Sequence, residues 1–313
     1  MKLRFILTLA IALFGLATVP PAAQTTAADG TVYVEPLFKY PEAPPFIENL
    51  GDRSDFLMDN FWKEMNFKQK VVNQAALQHA FEVYSAPMRW AQKGKVISSV
   101  KALLKKLEKN PTLATQFMKA AEETFHSPRS MVYIDEVYTM MLEGFIHNKK
   151  VPKARKEKYI KQLGAIRNTE PGKKMPEVAA VDTAGNAVTP RIGTEYTFVI
   201  FGSHHDSDTR RQMLQMNTNM AMERLCESGE LAMNFFNTAQ PDAETASFLA
   251  TLPSFFVVAS APKAASEVDI RIAPSVYLLD NQGVILAKNV TVEEAFAEIA
   301  NRKFNTQQQQ QQQ

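Results

Sequence analysis

A polar segment, 203–209, follows an apolar run in the second half of the chain and reads Ser-His-His-Asp-Ser-Asp-Thr. Imidazole and carboxylate groups are common ligands of Zn²⁺ and related ions. Adjacent histidines lack the usual spacing of metal ligands, and no distant residue is an evident third ligand. We therefore predict neither a metal nor a cofactor here. A metal-assisted enzyme, kept as an alternative, would use His204, His205, Asp206 and Asp208.

The same segment lacks the pattern of a serine hydrolase. Ser203, His205 and Asp206 are too close in sequence to converge as nucleophile, base and orienting acid, and no Gly-x-Ser-x-Gly turn occurs. The sequence also contains no phosphate-binding loop, dinucleotide fingerprint or His-Glu-x-x-His motif. These observations favour a binding function over hydrolysis or nucleotide chemistry.

The chain has a single cysteine, Cys226, which cannot form an internal disulfide. It lies toward the end of a predicted helix, on the apolar side with Met222 and Leu225. Thiols react as thiolates, which form in accessible, electropositive surroundings, so we interpret Cys226 as buried and unreactive. The alternative is an unusual oxidoreductase in which Cys226 reacts with a thiol of a partner.

The first residues have the features of a secretory signal peptide. Lys2 and Arg4 precede an apolar run, 5–16, that is too short to span a bilayer. No cysteine follows closely at which a lipid could be attached, so a lipoprotein is not expected. We predict a signal peptide at 1–23, an extended linker at 24–46 and a periplasmic product with no membrane span.

Residues 47–168 have the apolar spacing of α-helices. Apolar side chains recur every three or four positions in successive segments, and Ser54 or Asp52 is suited to cap the first helix. This pattern predicts an all-α domain. The net charge of +2 gives no reason to expect a nucleic-acid partner.

Strands and helices alternate in residues 172–303, which is typical of an α/β fold. A hairpin of two short strands is predicted around Asp182–Asn186, and the Gln-rich segment 304–313 is predicted to be disordered. The predicted strands are 196–202, 231–237, 255–260, 275–280 and 284–288, and the predicted helices are about 207–228, 242–251 and 291–301.

Four features of this region occur in a characteristic order: Met175-Pro176 with the hairpin, Phe201 before the polar segment, Pro274, and the run from Tyr277 to Gly283. In this order they resemble the TlpA/ResA-type periplasmic thioredoxin-like proteins. The segments 52–62 and 127–133 are similar to a helical domain of unknown function that precedes such folds in Bacteroidota-type envelope proteins. The resemblance implies a C-terminal thioredoxin-like domain, with a central mixed sheet flanked by helices, after an all-α domain.

The resemblance also bears on the chemistry. In the family, a Cys-x-x-Cys pair begins the helix after the first strand, and a cis-proline follows later in the chain. Asp206 and Thr209 stand at the cysteine positions here, and Pro274 stands at the proline position. The resemblance therefore implies that the fold is kept and that the Cys-x-x-Cys pair, with its dithiol exchange, is lost.

We predict an exported, redox-inactive protein that binds a protein or peptide of the cell envelope. The loop after the first strand and the proline segment would form the binding groove. A purely structural envelope component and a thiol–disulfide oxidoreductase-related enzyme are the alternatives. The predicted groove residues are Ser203, His204, His205, Ala273, Pro274 and Ser275.

Overall fold

The computed structural model describes residues 25–26, 32–127 and 134–311. The predicted signal peptide, residues 24 and 27–31 of the predicted linker, and residues 128–133 lie outside these described residues. Two short strands, β1 (Thr25–Thr26) and β2 (Val32–Tyr33), pair in antiparallel fashion. None of the described helices combines the length and the apolar character that crossing a bilayer requires.

The described residues between 50 and 168 form a helical half with one shared core. Each helix buries one apolar face, as the spacing of its apolar residues requires. Its helices are α1 (Leu50–Asn60), α2 (Gln74–Ser85), α3 (Lys93–Leu107), α4 (Pro111–Phe125), α5 (Asp135–His147) and α6 (Lys153–Asn168).

The start of α1 differs from the prediction. Asn49 caps the helix, because its side-chain oxygen accepts hydrogen bonds from the backbone N–H groups of Gly51 and Asp52 at 2.8 and 3.2 Å. Ser54 is buried inside the helix, and its hydroxyl donates to the carbonyl of Leu50 at 2.8 Å. A serine can satisfy its hydroxyl in this way within a helix, so Ser54 does not mark the helix start.

A five-stranded mixed sheet forms the second half and confirms the predicted α/β fold. The strand order is β5-β4-β3-β6-β7, in which β3, β4 and β5 are parallel and β6 and β7 are antiparallel to their neighbours. In chain order the elements are β3 (Tyr196–Gly202), α7 (Ser207–Asn217), α8 (Met220–Glu227), β4 (Leu231–Asn237), α9 (Thr245–Leu249), β5 (Phe256–Ser260), β6 (Ser275–Asp280), β7 (Ile285–Val290) and α10 (Val292–Gln311).

The central strand β3 is packed on both of its faces. Phe198 and Ile200 enter one apolar cluster, which includes Met213 of α7, whereas Val199 and Phe201 enter the cluster on the opposite face. Successive side chains of a strand point to opposite faces, so a strand covered on both sides reads as a continuous apolar run. The carboxyl end of β3 is therefore held in place from both faces.

The helix predicted at 207–228 is divided into α7 and α8. As α7 ends, the hydroxyl of Thr218 donates to the carbonyl of Gln215 at 3.1 Å. The side-chain oxygen of Asn219 accepts from the backbone N–H of Met222 at 3.1 Å, as an N-cap residue does. Two adjacent polar residues that bond to the backbone thus end one helix and begin the next.

The hairpin predicted around Asp182–Asn186 has no regular strands in the described residues. Within the described residues, its flanking strands amount to an isolated bridge between Val181 and Ala187. Val181 also bridges to Ser260 of β5, so this segment lies along the edge of the sheet. The backbone groups that a regular hairpin would pair internally are partly used by the sheet edge.

Residues 304–311 are helical where disorder was predicted. Helix α10 continues to Gln311, whereas the prediction placed the helix end at Asn301 and disorder at 304–313. Glutamine has a helix propensity close to that of lysine and glutamate, and extending an existing helix avoids the unfavourable step of nucleation. A repetitive composition therefore did not indicate the backbone conformation of this segment.

A buried ionic cluster, the Asp269 network, joins the two halves. The Asp269 carboxylate accepts hydrogen bonds from Arg271 at 2.6 and 3.0 Å, from Lys288 at 2.9 Å and from His126 at 3.0 Å. Arg271 and Lys288 also pair with Asp135 at 2.6 and 2.8 Å. Since His126 follows α4 and Asp135 begins α5, this network fastens the sheet half to the helical half.

The charge on Asp269 is well compensated. Burial disfavours its ionised form, but the hydrogen bond from His126 and the positive charges of Lys288 and Arg271 outweigh this effect. The pKa of Asp269 is therefore held well below its ordinary value of 3.8. The carboxylate stays ionised at any pH at which the fold is expected to work.

Candidate functional site

The polar loop 203–206 joins the carboxyl end of β3 to the start of α7. In the sheet register, Gly202 pairs with Asn237 at the end of β4, and Phe201 pairs with Ser275 at the start of β6. These pairings bring the loop, Asn237 and the 273–275 segment to one edge of the sheet. The predicted groove residues therefore come from two segments that border each other at this edge.

Asp206 and Thr209 form the start of α7. The Asp206 carboxylate caps the helix and accepts from the backbone N–H of Thr209 at 2.7 Å. Thr209 is buried against Gly202, where an added Cβ would lie only 2.6 Å from the Thr209 methyl group. The Thr209 hydroxyl has no hydrogen-bond partner in the described part of the chain. That these positions correspond to the two cysteines of the family stays a prediction.

The proline segment has one exposed and two buried residues. Ala273 is exposed, whereas Pro274 and Ser275 are buried, and the Ala273–Pro274 peptide bond is cis. The Ser275 hydroxyl donates to Oδ1 of Asn289 in β7 at 2.8 Å. This bond ties the start of β6 to the neighbouring strand.

Asn289 also fixes the chain that leads to this segment. Its Oδ1 accepts from the backbone N–H of Arg271 at 3.0 Å, and its amide donates to Asp269 at 3.3 Å. Its backbone has φ of 51°, in the left-handed region that asparagine tolerates better than most residues. One side chain thus connects the proline segment to the Asp269 network.

His204 is fully buried and has a defined orientation. Its backbone N–H and its ring Nδ1 both lie within hydrogen-bonding distance of Asn237 Oδ1, at 3.1 and 3.0 Å. Asn237 in turn donates through its amide nitrogen to the carbonyl of Ala239 at 3.3 Å, so its oxygen faces His204. Since that oxygen only accepts, Nδ1 carries a proton, and Nε2 points at Asp242 Oδ1 at 3.0 Å.

Asp242 completes a group that we name the His204–His205–Asp242 cluster. Its Oδ1 also accepts from the backbone N–H groups of Glu244 and Thr245 and from the Thr245 hydroxyl, at 2.9 to 3.1 Å. Its Oδ2 lies 3.1 Å from Nε2 of His205, whose side chain is more than half exposed. Desolvation opposes ionisation, but the hydrogen bonds from His204, Thr245 and Glu244 outweigh it and lower the pKa of Asp242 to about 2.

This arrangement changes the ligand set considered for a metal. His204 and His205 lie together, with ring centres 3.9 Å apart, but the two acidic residues of the metal-assisted alternative are engaged elsewhere. Asp206 caps α7, and Asp208 pairs with Arg211 at 2.8 Å. The carboxylate beside the two imidazoles belongs to Asp242, because Asp206 bonds to the start of α7 and Asp242 is held by the turn that leads into α9.

The sequence contained signals for the residues that were missed. Asp242 is the first residue of the helix predicted at about 242–251 and precedes Thr245 by three positions, a spacing at which an aspartate can accept from a backbone N–H at a helix start. Asn237 ends the strand predicted at 231–237, which follows the strand and helix on either side of the polar loop. Because the carboxyl ends of parallel strands meet at one edge of a sheet, both positions could have been assigned to the loop's surroundings.

Cys226 has the environment of a poorly reactive thiol. It lies in α8 and is partly buried, away from the start of α7. Burial raises the pKa of the Cys226 thiol, and the positive charge of Arg191 only partly offsets this effect. A raised pKa means less thiolate at neutral pH and hence slower thiol exchange.

Comparisons with known proteins agree with the two-part architecture. Residues 18–169 match the family model DUF5106, a domain of unknown function. The structure of a thioredoxin-like protein from Bacteroides caccae matches 85% of this chain and 99% of its own, with a TM-score of 0.68 at 13% sequence identity. At this identity the likeness shows the fold alone. The predicted thioredoxin-like fold after a helical domain of unknown function is thereby confirmed.

Two further solved structures match a smaller part of the chain. One is a putative thiol:disulfide interchange protein DsbE from Chlorobium tepidum, with 20% identity, a TM-score of 0.36 and coverage of 42% of this chain and 96% of its own. The other is a thiol:disulfide interchange protein from a Bacteroides species, with 16% identity, a TM-score of 0.35 and coverage of 43% and 90%. No curated protein matches the chain.

Proposed function

We propose that the chain is an accessory protein of the cell envelope that binds an extended protein or peptide segment without dithiol exchange. The binding groove lies between the loop 203–206 and the segment 273–275. The observation that carries the proposal is the pairing of Phe201 with Ser275, since it makes these two segments neighbours at the sheet edge. A peptide bound there would pair with exposed backbone beside Ala273, in the manner of strand addition.

The side chains at the start of α7 support binding without thiol chemistry. A capping carboxylate at Asp206 and a buried hydroxyl at Thr209 cannot attack or resolve a disulfide. Cys226 is the only thiol of the chain, and its raised pKa disfavours exchange. An oxidoreductase-related function would require this partly buried sulfur to act alone.

Export is part of the same proposal. Lys2 and Arg4 followed by the apolar run 5–16 support a cleaved signal peptide and a periplasmic location. Fractionation of cells that express the chain, with mass measurement of the mature product, tests this step. A product in the cytoplasmic fraction that retains residues 1–23 would refute it.

Two assays test the absence of dithiol chemistry. In insulin reduction with dithiothreitol, we expect the protein to add nothing to the uncatalysed rate. Alkylation of Cys226 should be slower than that of a free cysteine at pH 8, and its rate should still increase with pH above the ordinary thiol pKa of 9.0. Insulin turnover that persists in Cys226→Ser would contradict the proposal.

The groove itself is tested by site-specific crosslinking. A photoreactive amino acid replaces Ala273, and a matched control carries it at Ile160, an exposed position of α6 in the helical half. A fluorescently labelled, reduced and alkylated insulin B chain serves as the extended peptide probe. We expect saturable crosslinking at position 273 and none at position 160. Equal labelling at both positions, or none at either, would overturn the groove assignment.

A further inference from the structure

The His204–His205–Asp242 cluster has the donor atoms of a divalent-metal site. Nε2 of His204 and Nε2 of His205 lie 3.0 and 3.1 Å from the two oxygens of Asp242. One donor atom can be taken from each residue so that all three lie within 4.8 Å of one another. With zinc–ligand bonds of about 2.1 Å, neighbouring ligands of a tetrahedral site are about 3.4 Å apart. The three side chains therefore have nearly the spacing that a shared ion requires.

The buried histidine is already oriented as a metal ligand. Histidines that bind metals usually donate their second ring N–H to an oxygen that fixes the ring. Nδ1 of His204 makes this bond to Asn237 Oδ1 at 3.0 Å, and Asn237 is itself held by the carbonyl of Ala239. With Nδ1 bonded to Asn237, Nε2 is the ring nitrogen on the Asp242 side of the cluster, and a bound ion would take the place of the proton that Nε2 shares with Asp242 in the metal-free protein.

The carboxylate is oriented in a similar way. Oδ1 of Asp242 accepts the capping bonds from Glu244 and Thr245, which fix the carboxylate plane. Oδ2 does not take part in those capping bonds and faces His205. Helix capping and metal binding can therefore use different oxygens of the same side chain.

The cluster also has an accessible side. The side chain of His204 is fully buried, whereas those of His205 and Asp242 are 57% and 39% exposed. An ion bound between them would be held by protein on one side and open to solvent on the other. Three protein ligands with one open position are the pattern of zinc sites that bind water or a further ligand.

We propose that the cluster binds one Zn²⁺ ion through Nε2 of His204, Nε2 of His205 and Oδ2 of Asp242, with the remaining position facing solvent. Two imidazoles and one carboxylate are a donor set that suits Zn²⁺. The competing interpretation of the same contacts is a hydrogen-bonded ion pair that binds no metal. The test must separate these two outcomes.

Isothermal titration calorimetry with ZnCl₂ distinguishes a zinc site from an ion pair that binds no metal. The full-length chain is purified without a polyhistidine tag, treated with EDTA and dialysed before the titration. We expect one ion per chain, and we expect His205→Ala and Asp242→Asn each to weaken the Kd by at least about tenfold. Asp242→Asn keeps an oxygen for the capping bonds of α9 while it removes the charged ligand. The matched control is His147→Ala, an exposed histidine of α5, which should bind Zn²⁺ as the unaltered chain does.

A second measurement checks that the variants are folded. Circular dichroism without metal should show that the three variants unfold at temperatures close to that of the unaltered chain, and His204→Ala is avoided because that side chain is buried. Added Co²⁺ should give the intense visible absorption of a tetrahedral site in the unaltered chain and in His147→Ala, but not in His205→Ala. No saturable zinc binding, or unchanged affinity in both cluster variants, would mean an ion pair only and would overturn the proposal.

Discussion

Two carboxylates of the sheet half each contact an imidazole, yet their surroundings differ. Asp269 has no exposed side-chain surface and is neutralised by Arg271 and Lys288, with His126 as an additional partner. Asp242 is 39% exposed, and its contacts are two imidazoles and the donors that begin α9. One carboxylate is enclosed by permanent cations, and the other faces solvent with groups that can lose their protons.

This difference in charge and exposure distinguishes a carboxylate that stabilises the contact between the two halves from one that is available to bind a ligand. A buried carboxylate with an arginine and a lysine needs no further partner, and removing one member leaves uncompensated charge. Among the described residues, Asp242 pairs with two imidazoles and with no lysine or arginine, which leaves room for an ion or a charged ligand. The same residue types therefore have different roles because their neighbours differ in charge and exposure.

Among the tests of this comparison, Asp269→Ala should have the largest effect on the free energy of unfolding. Loss of the carboxylate removes from the buried Arg271 and Lys288 the fully buried counter-charge that they share, and leaves their contacts with the partly exposed Asp135. Breaking a buried pair of this kind typically lowers the free energy of unfolding by about 3–5 kcal/mol. Urea unfolding followed by circular dichroism measures the loss. The matched control, Asp242→Ala in metal-free buffer, should be clearly less destabilising; an equal loss would remove the distinction between the two carboxylates.

The pH dependence of stability gives the next effect. Folding lowers the pKa of Asp269 below 3.8, so its contribution is present above that pH and is lost as the pH falls toward the lowered value. Below pH about 4 the unfolded chain takes up a proton that the folded chain does not. The unaltered protein should then lose about 1.4 kcal/mol per pH unit more than Asp269→Asn. Parallel stability curves for the two proteins between pH 4 and pH 2 would contradict this assignment.

The smallest expected effect concerns Asp206, the loop carboxylate that the metal-assisted alternative would use as a ligand. Asp206→Ala removes the N-cap of α7 and should lower the free energy of unfolding by about 1 kcal/mol, without a change in zinc affinity. Asp208→Ala, the control, removes only an exposed pair with Arg211 and should cost less than about 1 kcal/mol. Weaker zinc binding in Asp206→Ala would return this residue to the ligand set.

Most of the fold could be predicted from local patterns. Burial determines where apolar residues occur, so it can be read directly from the sequence. The apolar run of β3 and the apolar spacing in α3 and α4 are examples. The division between α7 and α8 was missed because Thr218 and Asn219 act through side-chain bonds to the backbone rather than through hydrophobicity. The length of α10 was missed because composition was used in place of helix propensity.

The candidate site was less predictable. His204 and His205 were identified by residue type, but their carboxylate partner is distant in sequence and is placed by the sheet register and by the cap of α9. The Asp269 network likewise depends on how the two halves meet. Contacts of this kind arise from tertiary packing, so one sequence without its structure gives little information about them.

The geometry at Asn289 restricts which amino acids this position can accept. Glycine would adopt its left-handed backbone but would leave the backbone N–H of Arg271 and the Ser275 hydroxyl without their shared acceptor. Aspartate would keep the acceptor but would add a second negative charge 3.3 Å from Asp269. A library of all twenty residues at this codon, selected for soluble folded protein, should therefore return asparagine almost alone, although the position lies outside every predicted site.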